Sequence, residues 1–203
     1  MRKALYRLMT SLLFATMLIV SAGAQTAENG DYTLKRFSAD RLVLSTPAGT
    51  SSFRLSPSHV LVQFHEGVPA QRQQELLSAE PVLKELEEDM MLPSPRVVVG
   101  TVEEGQSLQE IIELLGRLNA LPEVRYANPF LRYKDGTELG IQDRFHVRLR
   151  RGVDFAALQS FAAEHGVTVI EANRYDPDIY VLSADKHASG NAFELSIRFQ
   201  SSG

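Results

Sequence analysis

The sequence predicts an α+β protein in which two similar units follow one another along the chain. Strand and helix signals occur twice in the order strand, helix, strand, strand, helix, and turn-forming residues separate them. At 203 residues, the chain is long enough for two small domains. Four segments are predicted: a signal peptide (1–24), a short hairpin-like β segment (25–57), a first unit (58–136) and a second unit (137–203).

The first 24 residues have the pattern of a secretory signal peptide. The apolar stretch from Leu8 to Val20 is short for a membrane span and is followed by small residues. We therefore expect cleavage between Ala24 and Gln25, the alternative being an N-terminal membrane anchor. The mature protein is then exported, periplasmic or extracellular, with no stable membrane association. Three basic residues open the segment: Arg2, Lys3 and Arg7.

Composition excludes several classes of site. The chain has no cysteine, which excludes a disulfide framework, a lipid-anchored cysteine and cysteine-ligated zinc. The net charge is −4, and loss of the three basic residues of the signal peptide makes it more negative. Because binding to phosphates requires clustered lysine and arginine, we expect no nucleic-acid partner.

The first unit carries six elements in the order βαββαβ. Its first strand has Val60, Val62 and Phe64 on one face, and its second helix opens with a capping box formed by Ser107 and Glu110. The residues that share the predicted buried face of that helix are Leu108, Ile111, Ile112, Leu115 and Leu118. The elements lie at 58–67 (strand), 69–80 (helix), 82–92 (a strand, although its Glu and Leu content also fits a helix), 95–104 (strand), 107–121 (helix) and 123–134 (strand).

The second unit repeats the first five of these elements. Asp154 is the expected N-cap of its first helix and Gly166 the expected C-terminal glycine. The βαββαβ order is that of the ferredoxin-like plan, so we expect two tandem ferredoxin-like units, the second lacking its last strand. The alternative is a domain that ends with its helix. The elements lie at 143–153 (strand), 154–166 (helix), 167–176 (strand), 178–185 (strand) and 189–203 (helix).

Two stretches of the first unit carry a family resemblance. "VLVQFHEGV" and "LPEVRYANPF" resemble the opening strand and closing strand of the N-terminal propeptide of secreted subtilisin-like serine proteases. The second unit is similar to the tandem propeptide copy of multidomain bacterial members. The residues that fit the two family motifs are Val60, Val62, Phe64, Val124, Tyr126, Ala127 and Pro129.

The resemblance implies a non-catalytic module that folds and inhibits a protease. In the family, the propeptide sheet packs on helices of the protease domain, and the segment after the last strand lies in the active-site cleft. This sequence has neither the last strand of its second unit nor a protease domain, so we expect a truncated precursor whose partner is a subtilisin-like protease domain, in cis or in trans. A strand-swapped oligomer is an open alternative.

Two other functions stay open at this point. One is a stand-alone exported module that uses the same fold to bind a protein partner, because a fold does not determine a function. The other is a protease inhibitor that acts in trans, for which the segment from Asn128 to Gly136 between the units is the candidate.

No arrangement of residues predicts an enzyme. Ser51, Asp135 and His165 lie in short stretches similar to the serine, aspartate and histidine motifs of the protease family, but their chain order is the reverse of the family's. The histidines show no metal-ligand spacing, so we expect no metal and no cofactor. The five histidines are His59, His65, His146, His165 and His187.

A basic strand opens the second unit. In "RFHVRLRR", the apolar residues alternate with basic ones, and the aromatic residue Phe145 lies on the apolar face. The basic residues are Arg144, His146, Arg148 and Arg150. Recognition of RNA on such a sheet uses exposed aromatic residues, so we expect a solvated strand face instead. The alternative is that this face binds an acidic partner, such as the acidic run of the same chain, Glu85, Glu87, Glu88 and Asp89.

Overall fold

The computed structural model describes residues 33–38, 41–46, 49–86 and 96–201. Within these ranges the chain forms ten strands and four helices, and every strand pair is antiparallel. The predicted α+β class is confirmed. None of the four described helices is long and apolar enough to cross a membrane. The predicted cleavage site between Ala24 and Gln25 lies outside the described residues.

The first nine elements contain the first sheet and two helices. They are β1 (Thr33–Ser38), β2 (Arg41–Thr46), β3 (Gly49–Phe64), α1 (Ala70–Ser78), β4 (Leu83–Leu86), β5 (Val97–Val102), α2 (Leu108–Ala120), β6 (Val124–Tyr133) and β7 (Glu138–Gly140). The remaining five are β8 (Arg144–Arg148), α3 (Phe155–Glu164), β9 (Thr168–Ala172), β10 (Ile179–Ser183) and α4 (Ala192–Ser201).

Strand β3 is the longest element of the first sheet and joins its two parts. Its first half pairs with β2, its second half pairs with β5, and β6 runs along its other side. The sheet therefore has the order β4-β5-β3-β6 in one part, while β1 and β2 extend the other part and β7 pairs with β6. Strand β3 crosses the expected boundary at 57/58, so the lead segment and the first unit share one continuous strand.

Helices α1 and α2 cover one face of the first sheet. Helix α2 has the predicted capping box, in which Ser107 N donates to Glu110 Oε2 (2.7 Å) and Glu110 N donates to Ser107 Oγ (3.3 Å). The buried residues between the helices and the sheet are Val60, Val62, Phe64, Leu77, Val102, Ile111, Leu114, Leu118, Val124 and Ala127.

The buried face of α2 differs from the prediction. Leu114 has no exposed surface, whereas Ile112, which we expected to be buried, is 39% exposed. Spacing alone allowed a face centred on either residue. The structure selects the face of Ile111, Leu114 and Leu118 because those side chains meet the strands.

The second sheet has the strand order β8-β10-β9 and its own core. Helix α3 is capped as predicted, because Ala157 N donates to Asp154 Oδ1 (2.8 Å). It is followed by Gly166 at φ +66°, where a Cβ would lie 2.9 Å from the carbonyl oxygen of His187. The core residues are Phe145, Leu158, Ala162, Val167, Leu182, Ala184, Ala192, Leu195 and Phe199.

Helix α4 connects the two sheets. Leu195 and Phe199 belong to the core of the second sheet, whereas the ring of Phe193 lies edge-on to Phe53 of β3, with centroids 5.6 Å apart. The helix also contacts β1. Phe53, Leu131 and Ile141 are buried in the resulting cluster. The second unit therefore packs on the strands of the lead segment as well as on itself.

Substitution of Leu114 by alanine is expected to lower the free energy of unfolding by about 2–5 kcal/mol, because it leaves a cavity in the core under α2. Ile112→Ala is the matched control, two residues earlier on the exposed side of the same helix, and should change the free energy of unfolding by less than about 1 kcal/mol. Urea unfolding followed by circular dichroism measures both. Equal losses for the two variants would contradict the assigned helix face.

Candidate functional site

The two family-like stretches meet at the centre of the first sheet. Strand β3 pairs with β6 so that Val62 lies opposite Ala127, Phe64 opposite Val124, and Val60 opposite Pro129. Tyr126 lies opposite Gln63 on the other face. All seven motif residues are thus on two neighbouring strands, and only Pro129 is not fully buried.

An extra residue in β6 directs a charged side chain to the second unit. Val124 and Tyr126 pair with consecutive residues of β3, so Arg125 between them is a bulge. Its guanidinium donates from Nη2 to Ser183 Oγ (2.7 Å) and from Nε to Asp143 Oδ2 (3.3 Å). Ser183 Oγ also donates to Asp143 Oδ2 (2.8 Å), which completes a network between β6, the start of β8 and β10.

Side chains and a loop cover the outer edge of β6. Asn119 of α2 bonds both backbone groups of Ala127, accepting from its N–H (2.7 Å) and donating to its carbonyl (2.9 Å). Next to it, Lys186 N donates to the carbonyl of Arg125 (3.1 Å) and Lys186 Nζ to that of Leu121 (2.7 Å). The bonds to Ala127 and Arg125 satisfy backbone groups that would otherwise form an open strand edge, and the bond to Leu121 holds the Lys186 side chain against the end of α2.

A second irregularity of β3 carries a buried polar cluster. Four residues of β3, from Ser56 to His59, face the single residue Phe130 of β6. From this bulge Ser56 Oγ donates to Glu138 Oε1 (2.7 Å), and His59 Nδ1 lies 2.5 Å from Glu138 Oε2. Arg132 Nε donates to Glu138 Oε1 (2.9 Å). We call Ser56, His59, Arg132 and Glu138 the Glu138 cluster.

The Glu138 cluster keeps its carboxylate ionised. Burial by itself raises the pKa of Glu138, but the hydrogen bonds from His59, Ser56 and Arg132 outweigh it and hold the pKa at about 2. The side chains of Glu138 and His59 are each 9% exposed, so the contact between them is largely removed from water. A carboxylate held in this way fixes β7 and the bulge of β3 to one another.

The Glu138 cluster contains a serine, a histidine and an acid but not the arrangement of a nucleophilic site. Such a site requires an accessible serine oxygen that donates to the histidine. Ser56 has no exposed surface, and its hydroxyl donates to Glu138. The sequence did not reveal the cluster, because Ser56 and Glu138 are 82 positions apart. The one local signal was Pro57, since proline inside a strand marks a bulge.

An apolar cluster lies beside the Glu138 cluster, on the sheet face opposite α1 and α2. Its five members are buried, and the ring of Phe130 is 5.6 Å from that of His59. Continuous apolar runs such as "VLV" and "VVV" signalled that β3 and β5 are buried on both faces. We call this set the rear cluster: Leu61, Val97, Val99, Tyr126 and Phe130.

Tyr126 ends the rear cluster near the second unit. Burial and the nearby charge of Asp143 raise the pKa of Tyr126, so its phenol remains neutral. A small cavity of about 200 Å³ lies on this side, between β6 and the loop that precedes α4. Polar side chains line most of it, including Asn128, Asp185 and Asn191.

The residues compared with protease motifs do not come together. Ser51 lies in β3, opposite Leu44 of β2. Asp135 lies in the turn after β6, where its Oδ1 accepts from Thr137 N (2.9 Å). His165 caps α3 and its Nδ1 is 3.0 Å from Ser189 Oγ. In the part of the chain that the structure describes, no three His, Asp or Glu residues are grouped to hold a metal ion.

The chain matches no protein-family model, no curated protein and no solved structure. The residues and contacts of the chain itself are therefore the basis for its function. The features that combine burial, charge and position are the β3–β6 pair, the rear cluster with the Glu138 cluster beside it, and the Arg125 network.

Glu138→Gln is expected to weaken the acid dependence of stability. The pKa of Glu138 is lowered in the folded protein from the ordinary 4.5, so its ionised form stabilises the fold above about pH 4.5. This contribution, on the order of 3 kcal/mol, is lost as the pH falls toward 2. Urea unfolding at a series of pH values between these limits should show a smaller loss for the variant than for the unsubstituted protein.

The control for this experiment is Glu66→Gln. Glu66 is an exposed glutamate, with 92% of its side chain accessible, whose one ion pair among the described residues is with Arg96 (3.6 Å). Its variant should follow the pH dependence of the unsubstituted protein. The assignment of the Glu138 cluster would be wrong if Glu138→Gln also lost stability in parallel with the unsubstituted protein.

Proposed function

We propose that this chain is a non-catalytic, propeptide-like module that packs on the catalytic domain of a secreted subtilisin-like serine protease and assists its folding. The observation that carries the proposal is the pairing of "VLVQF" with "VRYANP" as adjacent, buried strands. Spacing along the chain puts these stretches about sixty residues apart, and the fold joins them residue by residue. In this proposal the protease acts in cis, within one precursor, or in trans.

The sheet topology supports the ferredoxin-like plan for both units. In the first unit, the strands numbered by chain order (β3, β4, β5, β6) are arranged second, third, first, fourth, with both helices on one face. In the second unit, the first strand (β8) pairs with the third (β10), and the third pairs with the second (β9). These are the same neighbours as in the first unit, and the position of the fourth strand, next to β8, is unfilled among the described residues. Two tandem units of one topology are what the family resemblance implies.

The face proposed to meet the protease is the one that bears the rear cluster. It lies opposite α1 and α2, and in this proposal the helices of the partner pack on its apolar side chains once the contacts that bury them are displaced. The cluster is buried in the free chain, so a partner must displace existing contacts before it binds. We therefore expect weak binding, in keeping with a module that assists folding rather than one that blocks a mature enzyme.

The geometry gives less support to inhibition by the segment from Asn128 to Gly136. Its first six residues are part of β6, and the last three form a tight turn to β7 in which Gly136 N donates to the carbonyl of Tyr133 (3.0 Å). A peptide that enters a protease cleft binds in an extended form with free backbone groups. Those groups are already used in the sheet.

A second function, that of a stand-alone exported binding module, rests on a different observation. The Arg125 network and the contact between Phe53 and Phe193 tie the second unit to the first. A chain held together in this way can unfold as one cooperative body. Equal protection of β3 and β10 amides from hydrogen exchange would favour this function. A second unit whose amides exchange freely would favour a propeptide that becomes ordered on its protease.

The proposed function predicts assisted refolding. Denatured catalytic domains from a panel of secreted subtilisin-like proteases are diluted with and without the full-length protein, and recovered peptidase activity is measured. We expect recovered activity to increase several-fold for at least one protease, because a sheet face that packs on the protease stabilises the transition state of its folding. The same protein added to the folded enzyme should inhibit only weakly.

Two variants locate the effect. Gln63→Arg adds a charge to the partly exposed position between Leu61 and Val97 on the rear face, and it should abolish the increase. Gln74→Arg makes the same change on the exposed side of α1 and should leave it intact. Absence of any increase across the panel, or its retention in Gln63→Arg, would contradict the proposed face.

A further inference from the structure

Strand β8 presents an open edge. Among the described residues it pairs only with β10. On that side, Asp143 accepts from Ala184 N (2.8 Å) and Leu149 N donates to the carbonyl of Asp178 (2.8 Å). Because the backbone groups of alternate residues point to the same side of a strand, those of Arg144, His146 and Arg148 point away from β10. These three alternate residues therefore offer free backbone N–H donors and carbonyl acceptors along the edge.

The first unit shows what such an edge can hold. There, β3 has the position in its sheet that β8 has in the second, and its corresponding edge is paired with β6 along both strands. The outer edge of β6 is in turn covered by Asn119 and Lys186. The edge of β8 has no comparable cover in the described part of the chain, which makes it a site for strand addition.

The side chains beside the edge define the chemistry of the partner. Arg144 and Arg148 are exposed on the sheet face away from the helices, and only Arg148 has an ion pair in the described ranges, with Asp176 (2.7 Å). On the helix side, Phe145 and Val147 belong to the apolar core. A strand that fits this edge therefore carries acidic residues on one face and apolar residues on the other.

A second copy of the chain fits this edge poorly. Antiparallel pairing of two β8 strands about His146 would place Arg144 of each copy opposite Arg148 of the other. Like charges directly opposite one another destabilise a strand pair. Charge therefore favours a different, acidic partner over self-association.

We propose that the edge of β8 binds an extended, acidic segment of another polypeptide, which adds to the second sheet as a fourth, antiparallel strand. Backbone hydrogen bonds to Arg144, His146 and Arg148 supply the affinity, and ion pairs with the two arginines supply the selectivity. This binding is independent of the rear face and of the protease proposed to meet it.

The test uses a short acetylated and amidated peptide of alternating glutamate and valine, added to the full-length protein. Binding is measured by isothermal titration calorimetry. We expect it to bind roughly tenfold more tightly than a peptide in which lysine replaces glutamate, since two opposite-charge pairs are exchanged for two like-charge pairs. Hydrogen exchange should show new protection of the His146 and Arg148 amides and none at Phe145, which is already bonded to β10.

Two variants test the two parts of the proposal, the ion pairs with the arginines and the backbone pairing. Arg144→Glu combined with Arg148→Glu should reverse the preference, so that the lysine peptide binds more tightly. His146→Pro removes an outward N–H and should abolish binding while the thermal unfolding temperature is retained, because proline is tolerated on an exposed strand edge. Should His146→Pro fail to fold, a glutamate peptide that is N-methylated at alternate amides decides the question, because methylation removes the strand hydrogen bonds and keeps the charge.

Three results would overturn the proposal. One is equal affinity for a glutamate peptide that is N-methylated at alternate amides, which would mean charge attraction without strand pairing. Another is no binding by the glutamate peptide at millimolar concentration. The third is protection of the His146 amide in a concentration-dependent dimer without peptide, which would mean that a second copy occupies the edge.

Discussion

The pairing of β3 with β6 is the interaction on which the rest of the structure depends. Strand β3 spans Gly49–Phe64 and is hydrogen-bonded to other strands on both sides. Because both of its faces are apolar in the second half, α1 and α2 pack on one side and the rear cluster forms on the other. Its first half, with Phe53, receives Phe193 of α4. One strand therefore holds the lead segment, the first unit and part of the second unit.

The irregular positions of these two strands determine how the parts are joined. A regular antiparallel pair would place Arg125 on one face of the sheet, whereas the bulge directs it to Asp143 and Ser183. The longer bulge from Ser56 to His59 brings polar groups to Glu138 on a face that is otherwise apolar. Leaving such groups without partners would cost more than the hydrogen bonds contribute, so each bulge is viable only with its network complete.

Local signals predicted much of the secondary structure, and long-range contacts explain what they did not predict. The capping box of Ser107 and Glu110 and the cap at Asp154 act within four residues, so the sequence shows them directly. The buried face of α2 depends on which side chains meet β3 and β6, and the apolar spacing fitted two faces. The continuity of β3 was hidden by Pro57, which resembles a strand terminator but lies at a bulge. The Glu138 cluster depends on tertiary pairing and has no signature in the local sequence.

The edges of β6 and β8 are protected in opposite ways, and the difference bears on function. On β6, Asn119 imitates a neighbouring strand by bonding both backbone groups of Ala127, at the cost of fixing a polar side chain inside the structure. On β8, the outward groups lie beside two exposed arginines with the half-buried His146 between them, a charge pattern that opposes pairing between copies. Selection for stability alone could cover the edge of β8 as it covers that of β6, with a side chain that bonds the backbone groups. Protection of β8 by charge prevents self-association yet leaves its backbone open to a strand of opposite charge, and a binding edge requires both properties.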